Sequence, residues 1–303
     1  MAIQKYLSLI KFSHTIFALP FALIGFFMGM QSLVPVPGFT WITENGQPGL
    51  LMLFLLVLGC MVFARSAAMG FNRWLDARYD AMNPRTAQRE IPAGMIRPNN
   101  ALVFVVICSV LFVICTWFIN RLCFYLSPVA LGVILFYSYT KRFTALCHLV
   151  LGTGLSLAPI GAFIAVTGHF SVLPVLFSWV VLCWVSGFDI IYALQDEEFD
   201  RSQQLHSIPV WLGKSGALNL SRVLHLLAFG LVLFAGIYGG FGNWYRIGAL
   251  LFGSLLLYQH LLVKPNDLSK VNLAFFTTNG VASVIFALLV IADLLILPHH
   301  NFQ

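Results

Sequence analysis

Nine stretches of this chain, 12–33, 48–71, 99–119, 122–139, 145–166, 171–194, 218–240, 244–263 and 272–297, stay apolar for 18 residues or more, and none carries more than one charged side chain. Each approaches the ~20 residues that a helix needs to cross about 30 Å of hydrocarbon. In lipid, every backbone N–H and C=O must be satisfied inside its own segment or in a closed barrel, and these runs are continuous rather than alternating. The pattern predicts an all-α, polytopic membrane bundle of about nine transmembrane helices, one integral-membrane domain over residues 1–303. Composition excludes the soluble alternative: 9% of the residues are charged, where a water-facing domain carries about 25%.

The net charge of +6 does not describe a nucleic-acid surface, because the Lys and Arg residues sit in short loops between apolar runs. With the N-terminus inside, thirteen of them fall on the cytoplasmic side and only Arg121 and Arg246 on the other, setting aside Arg65 and Arg222 near helix ends. The positive-inside rule then puts the N-terminus in the cytoplasm and the C-terminus outside. The first apolar stretch is too long for a signal-peptide core and has no small-residue cleavage site, so it reads as a retained helix. Six cysteines (Cys60, Cys108, Cys115, Cys123, Cys147, Cys183) lie in or beside apolar runs without a Cys-x-x-Cys pair, which indicates neither disulfides nor zinc.

Two inter-helix segments, 72–98 and 195–217, stand apart. Seven of the eleven acidic residues lie in them, and Asp189 lies just before the second. Acidic residues contribute little to topology, so orientation does not explain this concentration. The first segment begins Asn72-Arg-Trp-Leu-Asp76-Ala-Arg-Tyr-Asp80; the second is preceded by Asp189-Ile-Ile-Tyr192 and continues Gln195-Asp196-Glu-Glu-Phe-Asp200. Asp76 and Asp80 precede Asp196 and Asp200 by 120 residues, and each pair is followed by Ile-Pro (Ile91-Pro92, Ile208-Pro209) and then glycine (Gly94, Gly213). This is a faint internal repeat of the kind that frames a shared cavity.

Residues four apart share a helix face, so Asn72, Asp76 and Asp80 form one oxygen-bearing stripe, and Tyr192, Asp196 and Asp200 a second. Neighbouring carboxylates repel unless a cation lies between them. Mg²⁺ is the hard cation that bridges one or two carboxylates to a phosphorylated substrate. The balancing cations are at hand in Arg73, Arg78, Arg85, Arg89, Lys141, Arg142 and Arg201. A diphosphate gripped in this way leaves more easily, because its developing charge is stabilised. Asp189 lies within an apolar stretch, where an ionisable residue marks function by default.

Together these residues resemble the UbiA superfamily of intramembrane aromatic prenyltransferases. The resemblance rests on the two aspartate motifs, on Asn83-Pro84-Arg85-Thr86-x-x-Arg89-x-Ile91-Pro92-x-Gly94, and on Tyr137-Ser-Tyr139-Thr-Lys141-Arg142-Phe143-Thr144, and it covers nearly the whole chain. It implies that Asn72, Asp76, Asp80, Asp196 and Asp200 hold two Mg²⁺ ions against a polyprenyl diphosphate. Lys141, Arg142, Arg85 and Arg89 would bind the diphosphate, and Tyr137 would line the same cavity. The implied reaction ionises an allylic diphosphate, and an electron-rich ring carbon of an aromatic acid attacks the cation. The opening Ile10-Lys11-Phe12-Ser13-His14-Thr15-Ile16-Phe17-Ala18-Leu19-Pro20-Phe21-Ala22 is similar to the 4-hydroxybenzoate polyprenyltransferase branch and to enzymes of the futalosine route to menaquinone. On that resemblance, Lys11, His14, Asp189 and Tyr192 are the acceptor-binding candidates, and the expected setting is quinone biosynthesis at a bacterial-type inner membrane with the site facing the cytoplasm.

Two rival readings stay open at this level. One keeps the family with another acceptor: haem, homogentisate, chlorophyllide or a lipid. The other is an ion-coupled transporter, which paired intramembrane acids and a repeat also suit. No nucleic acid and no obligate protein partner is expected. His148, His169, His206, His225 and His260 share no ligand spacing with a carboxylate and read as structural.

Overall fold

The computed structural model describes residues 2–10, 17–33 and 38–297. Twelve α-helices are formed in the described residues: α1 Ala2–Leu9, α2 Leu19–Gln31, α3 Leu50–Leu75, α4 Ala77–Met82, α5 Pro98–Ile119, α6 Arg121–Thr140, α7 Cys147–Thr167, α8 Val172–Ala193, α9 Glu197–Ser202, α10 Ile208–Tyr238, α11 Asn243–Leu262 and α12 Asn279–Ile296. A 3₁₀ turn, Leu194–Asp196, joins α8 to α9, and a π-helical turn, Leu273–Thr278, leads into α12.

Among the described residues, seven helical spans are long and apolar enough to cross a membrane, carried by α3, α5, α6, α7, α8, α10 and α12. The remaining two expected stretches also contain helices. α11 has 20 residues. α2 has 13 residues, about 20 Å at 1.5 Å per residue, and the start of that stretch lies outside the described residues.

Three boundaries differ from expectation. α1 was not foreseen, being too short to show a hydropathy signal. It docks on the first aspartate segment: Leu9 is buried with Ile91, Ile96 and Ala101, and Ser8 donates a hydrogen bond to Glu90 Oε1 at 2.5 Å. α10 opens at Ile208 with a short turn, in which Ser207 accepts the Val210 N–H as an N-cap and Pro209 follows Ile208. A kink at Gly213 (φ 68°, ψ 172°) separates it from the long helix that follows, close to the expected 218. The aspartate stripes are not single helices, as described below.

The main core gathers aromatic side chains from α2, α8, α11 and α12, with Phe21, Phe177, Trp184, Phe252 and Phe286 fully buried. Trp184 donates its indole N–H to Asn279 Oδ1 at 3.0 Å, which satisfies the polar edge of the ring inside the bundle. Asp293, also fully buried, accepts the Gly242 and Tyr245 N–H groups at the start of α11. Its acid therefore serves helix capping, away from the aspartate segments. α7 and α8 come together at Gly152, where a Cβ would lie 2.7 Å from the Leu182 carbonyl oxygen. That approach fixes the two helices that carry His148 and Asp189.

Candidate active site

Both aspartate motifs break their helix at the same place. Asp76 ends α3 with φ −91° and ψ 6°, and Asp196 ends the 3₁₀ turn with φ −104° and ψ 2°. These angles lie in the sparsely populated bridge region that active-site residues often occupy. After each break comes a helix of six residues, α4 and α9, that carries the second carboxylate, Asp80 or Asp200. The i to i−4 backbone bonds survive the first break, with Asp76 N–H donating to Asn72 O and Asp80 N–H to Asp76 O. The face predicted from spacing is thus retained, and Asn72 Nδ2 donates to Asp76 Oδ2 at 2.9 Å.

The two segments and the α6–α7 loop meet. Asn83 Nδ2 and Arg85 Nε, from the tail of the first segment, donate to Asp196 Oδ1 at 3.2 and 3.0 Å. The His206 N–H, from the second segment, donates to the Lys141 carbonyl at 2.8 Å. Each of the four aspartates has its own cation: Arg142 for Asp76 at 2.9 Å, Arg89 for Asp80 at 2.5 Å, Arg85 for Asp196, and Lys141 for Asp200 at 2.7 Å. Asp80 Oδ2 has no hydrogen-bond partner, and its second cation, Arg73, is 4.0 Å away.

Burial pushes the Asp76 carboxyl above the usual carboxylate range, with Arg142 pulling the other way and Asp80 adding to the rise. For Lys141, burial acts to lower its basicity, but the Asp200 and Asp196 carboxylates prevail and hold it above the ordinary lysine value. Arg85 behaves likewise, burial being outweighed by its bond to Asp196.

These groups line one polar cavity of about 740 Å³ that contains Asn72, Asp76, Asp80, Asp196, Asp200, Arg85, Arg89, Lys141, Arg142, Tyr137, Asp189 and Tyr192. The described candidates for metal, diphosphate and acceptor binding therefore border the same space, whereas the balancing cations Arg78 and Arg201 do not line it. Lys11 and His14 lie outside the described residues. Tyr192 accepts a hydrogen bond from Arg85 Nη1 at 2.9 Å and stacks on Phe275 with ring centroids 4.2 Å apart. Asp189 accepts His148 Nδ1 at 2.7 Å, a pairing across 41 residues. Below lies a second, apolar cavity of about 360 Å³ between α3, α5, α6 and α7. Arg65 and Tyr137 border both cavities, and Arg65 Nε is buried without a partner.

Three residues of this site were not singled out from the sequence. Asn83 was quoted only as part of a motif, and its reach to Asp196 spans 113 residues. Arg65 was set aside as a charge near a helix end. His148 has no carboxylate at ligand spacing in the sequence, since Asp189 lies 41 residues on. For Arg65 a signal existed, since it is the one charged residue in the 48–71 stretch.

The geometry has counterparts. The model of the UbiA prenyltransferase family matches residues 32–281. A 4-hydroxybenzoate octaprenyltransferase of Saccharophagus degradans is 32% identical over 247 residues, covering 81% of this chain and 82% of that one. The enzyme of the same name from Tolumonas auensis is 29% identical over 255 residues, covering 83% and 87%. Among solved structures, a UbiA homolog from Aeropyrum pernix K1 superposes with a TM-score of 0.79 at 30% identity, covering 92% of this chain and 98% of that one. A UbiA homolog from Archaeoglobus fulgidus, bound to DMAPP and Mg²⁺, has a TM-score of 0.69 at 19% identity over 97% of this chain and all of the other, and so shares the fold. The fold and the paired aspartate segments define an integral, multi-pass membrane enzyme that transfers prenyl groups. The chain belongs to the UbiA prenyltransferase family.

Proposed function

We propose that this protein, one integral domain over its length, moves a polyprenyl group from an allylic polyprenyl diphosphate to a hydroxylated aromatic acid in ubiquinone or menaquinone synthesis. 4-Hydroxybenzoate and a futalosine-derived naphthoate are the candidate acceptors. The carrying observation is the interleaving of four aspartates with four cations around one polar cavity that shares Arg65 and Tyr137 with an apolar one. The names of the relatives support 4-hydroxybenzoate as acceptor.

The donor set suits Mg²⁺. Asn72, Asp76, Asp80, Asp196 and Asp200 offer hard oxygens, and the Asp80 Oδ2 atom is buried and without a hydrogen bond. Those five residues would hold the metal, which, when bound, neutralises charge on the departing diphosphate. Lys141, Arg142, Arg85 and Arg89 would exchange their aspartate partners for diphosphate oxygens. The apolar cavity would take the start of the prenyl tail, and its walls would keep water from the reactive allylic carbon. Arg65, at the junction with a buried unpartnered Nε, is suited to hold the acceptor carboxylate by charge-assisted hydrogen bonds.

The bundle would sit in a bacterial-type inner membrane with nine spans, its N-terminus and aspartate segments in the cytoplasm. The loop cations support this orientation. The test is a purified-protein assay with radiolabelled polyprenyl diphosphate, Mg²⁺ and a panel of aromatic acids. Prenylated aromatic acid is the expected product. Release of diphosphate with a prenylated lipid and no aromatic product would reassign the acceptor, and no diphosphate release would end the reading.

A further inference from the structure

One ion-pairing couple bordering the polar cavity, a buried histidine and a half-buried aspartate, has no part in holding the diphosphate. His148, on the first turn of α7, is 4% exposed, and its Nδ1 lies 2.7 Å from Asp189 Oδ2 on α8. Its other ring nitrogen, Nε2, is buried and has no hydrogen-bond partner in the protein. Both residues border the cavity, alongside Phe188, Leu151 and Leu155. A buried polar atom without a partner is costly unless a ligand satisfies it. The His148 ring borders the cavity, so a ligand seated there is the partner within its reach.

In its neutral form His148 keeps its proton on Nδ1, against the Asp189 carboxylate, and Nε2 then carries the lone pair. An imidazole so held, with a carboxylate behind it to stabilise the imidazolium that forms, is the arrangement of a general base.

Resting on the prenyl-transfer reading above, we propose that His148 is the base that takes the hydroxyl proton of the aromatic acceptor, with Asp189 positioning it. The acceptor class follows: a ring bearing a hydroxyl group. As the allylic C–O bond breaks, its electron pair leaves with the diphosphate. The acceptor ring carbon forms the new C–C bond to the allylic carbon. The hydroxyl proton passes to His148 Nε2, and the ring electrons released make the carbon nucleophilic. The dienone so formed regains aromaticity when its ring C–H proton passes to the departed diphosphate and its oxygen takes back the proton held by His148, so no oxidant is needed. Gly152, one turn on from His148, holds α7 close enough to α8 for the pair to form.

The test uses the full-length protein in nanodiscs with Mg²⁺ and compares wild type with His148→Gln. Two rates are measured: diphosphate release without acceptor, and transfer to hydroxybenzoates made progressively more acidic by ring fluorination. The expected result is a fall in transfer kcat of about 10²–10⁴-fold with diphosphate release changed less than about twofold. The deficit relative to wild type should shrink at least about tenfold on acceptors whose hydroxyl is already ionised, because such acceptors need no base. Taking the ratio on each acceptor cancels the effect of fluorine on ring reactivity. Transfer within about twofold of wild type, or a deficit equal on every acceptor as a purely structural role would give, overturns the assignment. Loss of diphosphate release in His148→Gln overturns it too, by making the residue part of donor binding. A wild-type chain that releases no diphosphate at all removes the prenyl-transfer reading itself and takes this inference with it.

Discussion

The first and second aspartate segments are built to one plan and finished differently. Each has a helix arriving from the bundle, a break at the first aspartate, a six-residue helix carrying the second, then Ile-Pro and a glycine with positive φ (Gly94 +71°, Gly213 +68°). Both isoleucines are buried. Between its short helix and the Ile-Pro, the first segment carries an arginine-bearing arm that crosses to the other motif through Asn83 and Arg85. The second has no such arm and runs directly into α10 through the Ser207 cap. The difference teaches that the acids come in equivalent pairs while the cations do not. Arg85 and Arg89 come from the first segment, Lys141 and Arg142 from the α6–α7 loop, and none from the second segment, whose Arg201 pairs within its own helix with Glu197.

If the acid pairs are equivalent, Asp76→Ala and Asp196→Ala should each lower turnover by about 10³-fold or more, with the variants still found in the membrane fraction. A large loss in one and near-normal turnover in the other would break the symmetry. Metal removal should act through both pairs at once: chelation abolishes product formation and added Mg²⁺ restores it, as product assays on dialysed protein would show. The asymmetry of the cations gives the next effect. Lys141→Ala should raise KM for the prenyl diphosphate about tenfold or more, the scale of one charge-assisted hydrogen bond, and leave acceptor KM nearly unchanged. Arg201→Ala should change neither by more than about twofold, since Arg201 is itself exposed, does not line the cavity and pairs only within its own helix. Arg65→Ala should invert the Lys141 ranking, raising acceptor KM about tenfold while sparing that of the diphosphate. The smallest effect concerns the turns. Gly94→Ala and Gly213→Ala each place a side chain at positive φ, a cost of about 1 kcal/mol, read as a fall in thermal midpoint of about 2 °C.

Much of this was legible in the sequence because lipid imposes simple rules. Uncharged runs must be helices, and acids four apart must share a face, so the seven long spans and the Asn72–Asp76–Asp80 stripe follow from spacing. The break at Asp76 and at Asp196 was not legible. Neither site has a proline or glycine to mark it, and the geometry belongs to the ion pairs and packing that the bundle assembles. The His148–Asp189 pair was hidden for a related reason. Its partners are distant in the chain, and only the crossing of α7 and α8 at Gly152 brings them together. α1 was missed because eight residues are too few to show a pattern, and its docking depends on Glu90 and Ile91 being presented by another segment.

On the proposed function, the pairing of Asp76, Asp80, Asp196 and Asp200 each with its own Arg or Lys would affect how guests are admitted. Opposite charges cancel inside the chamber, so neither a stray divalent ion nor free inorganic phosphate gains much by entering alone, since each would strand half of the pairs. Arriving together, ion and diphosphate give both halves new company. Such a lock opens to two keys turned at once.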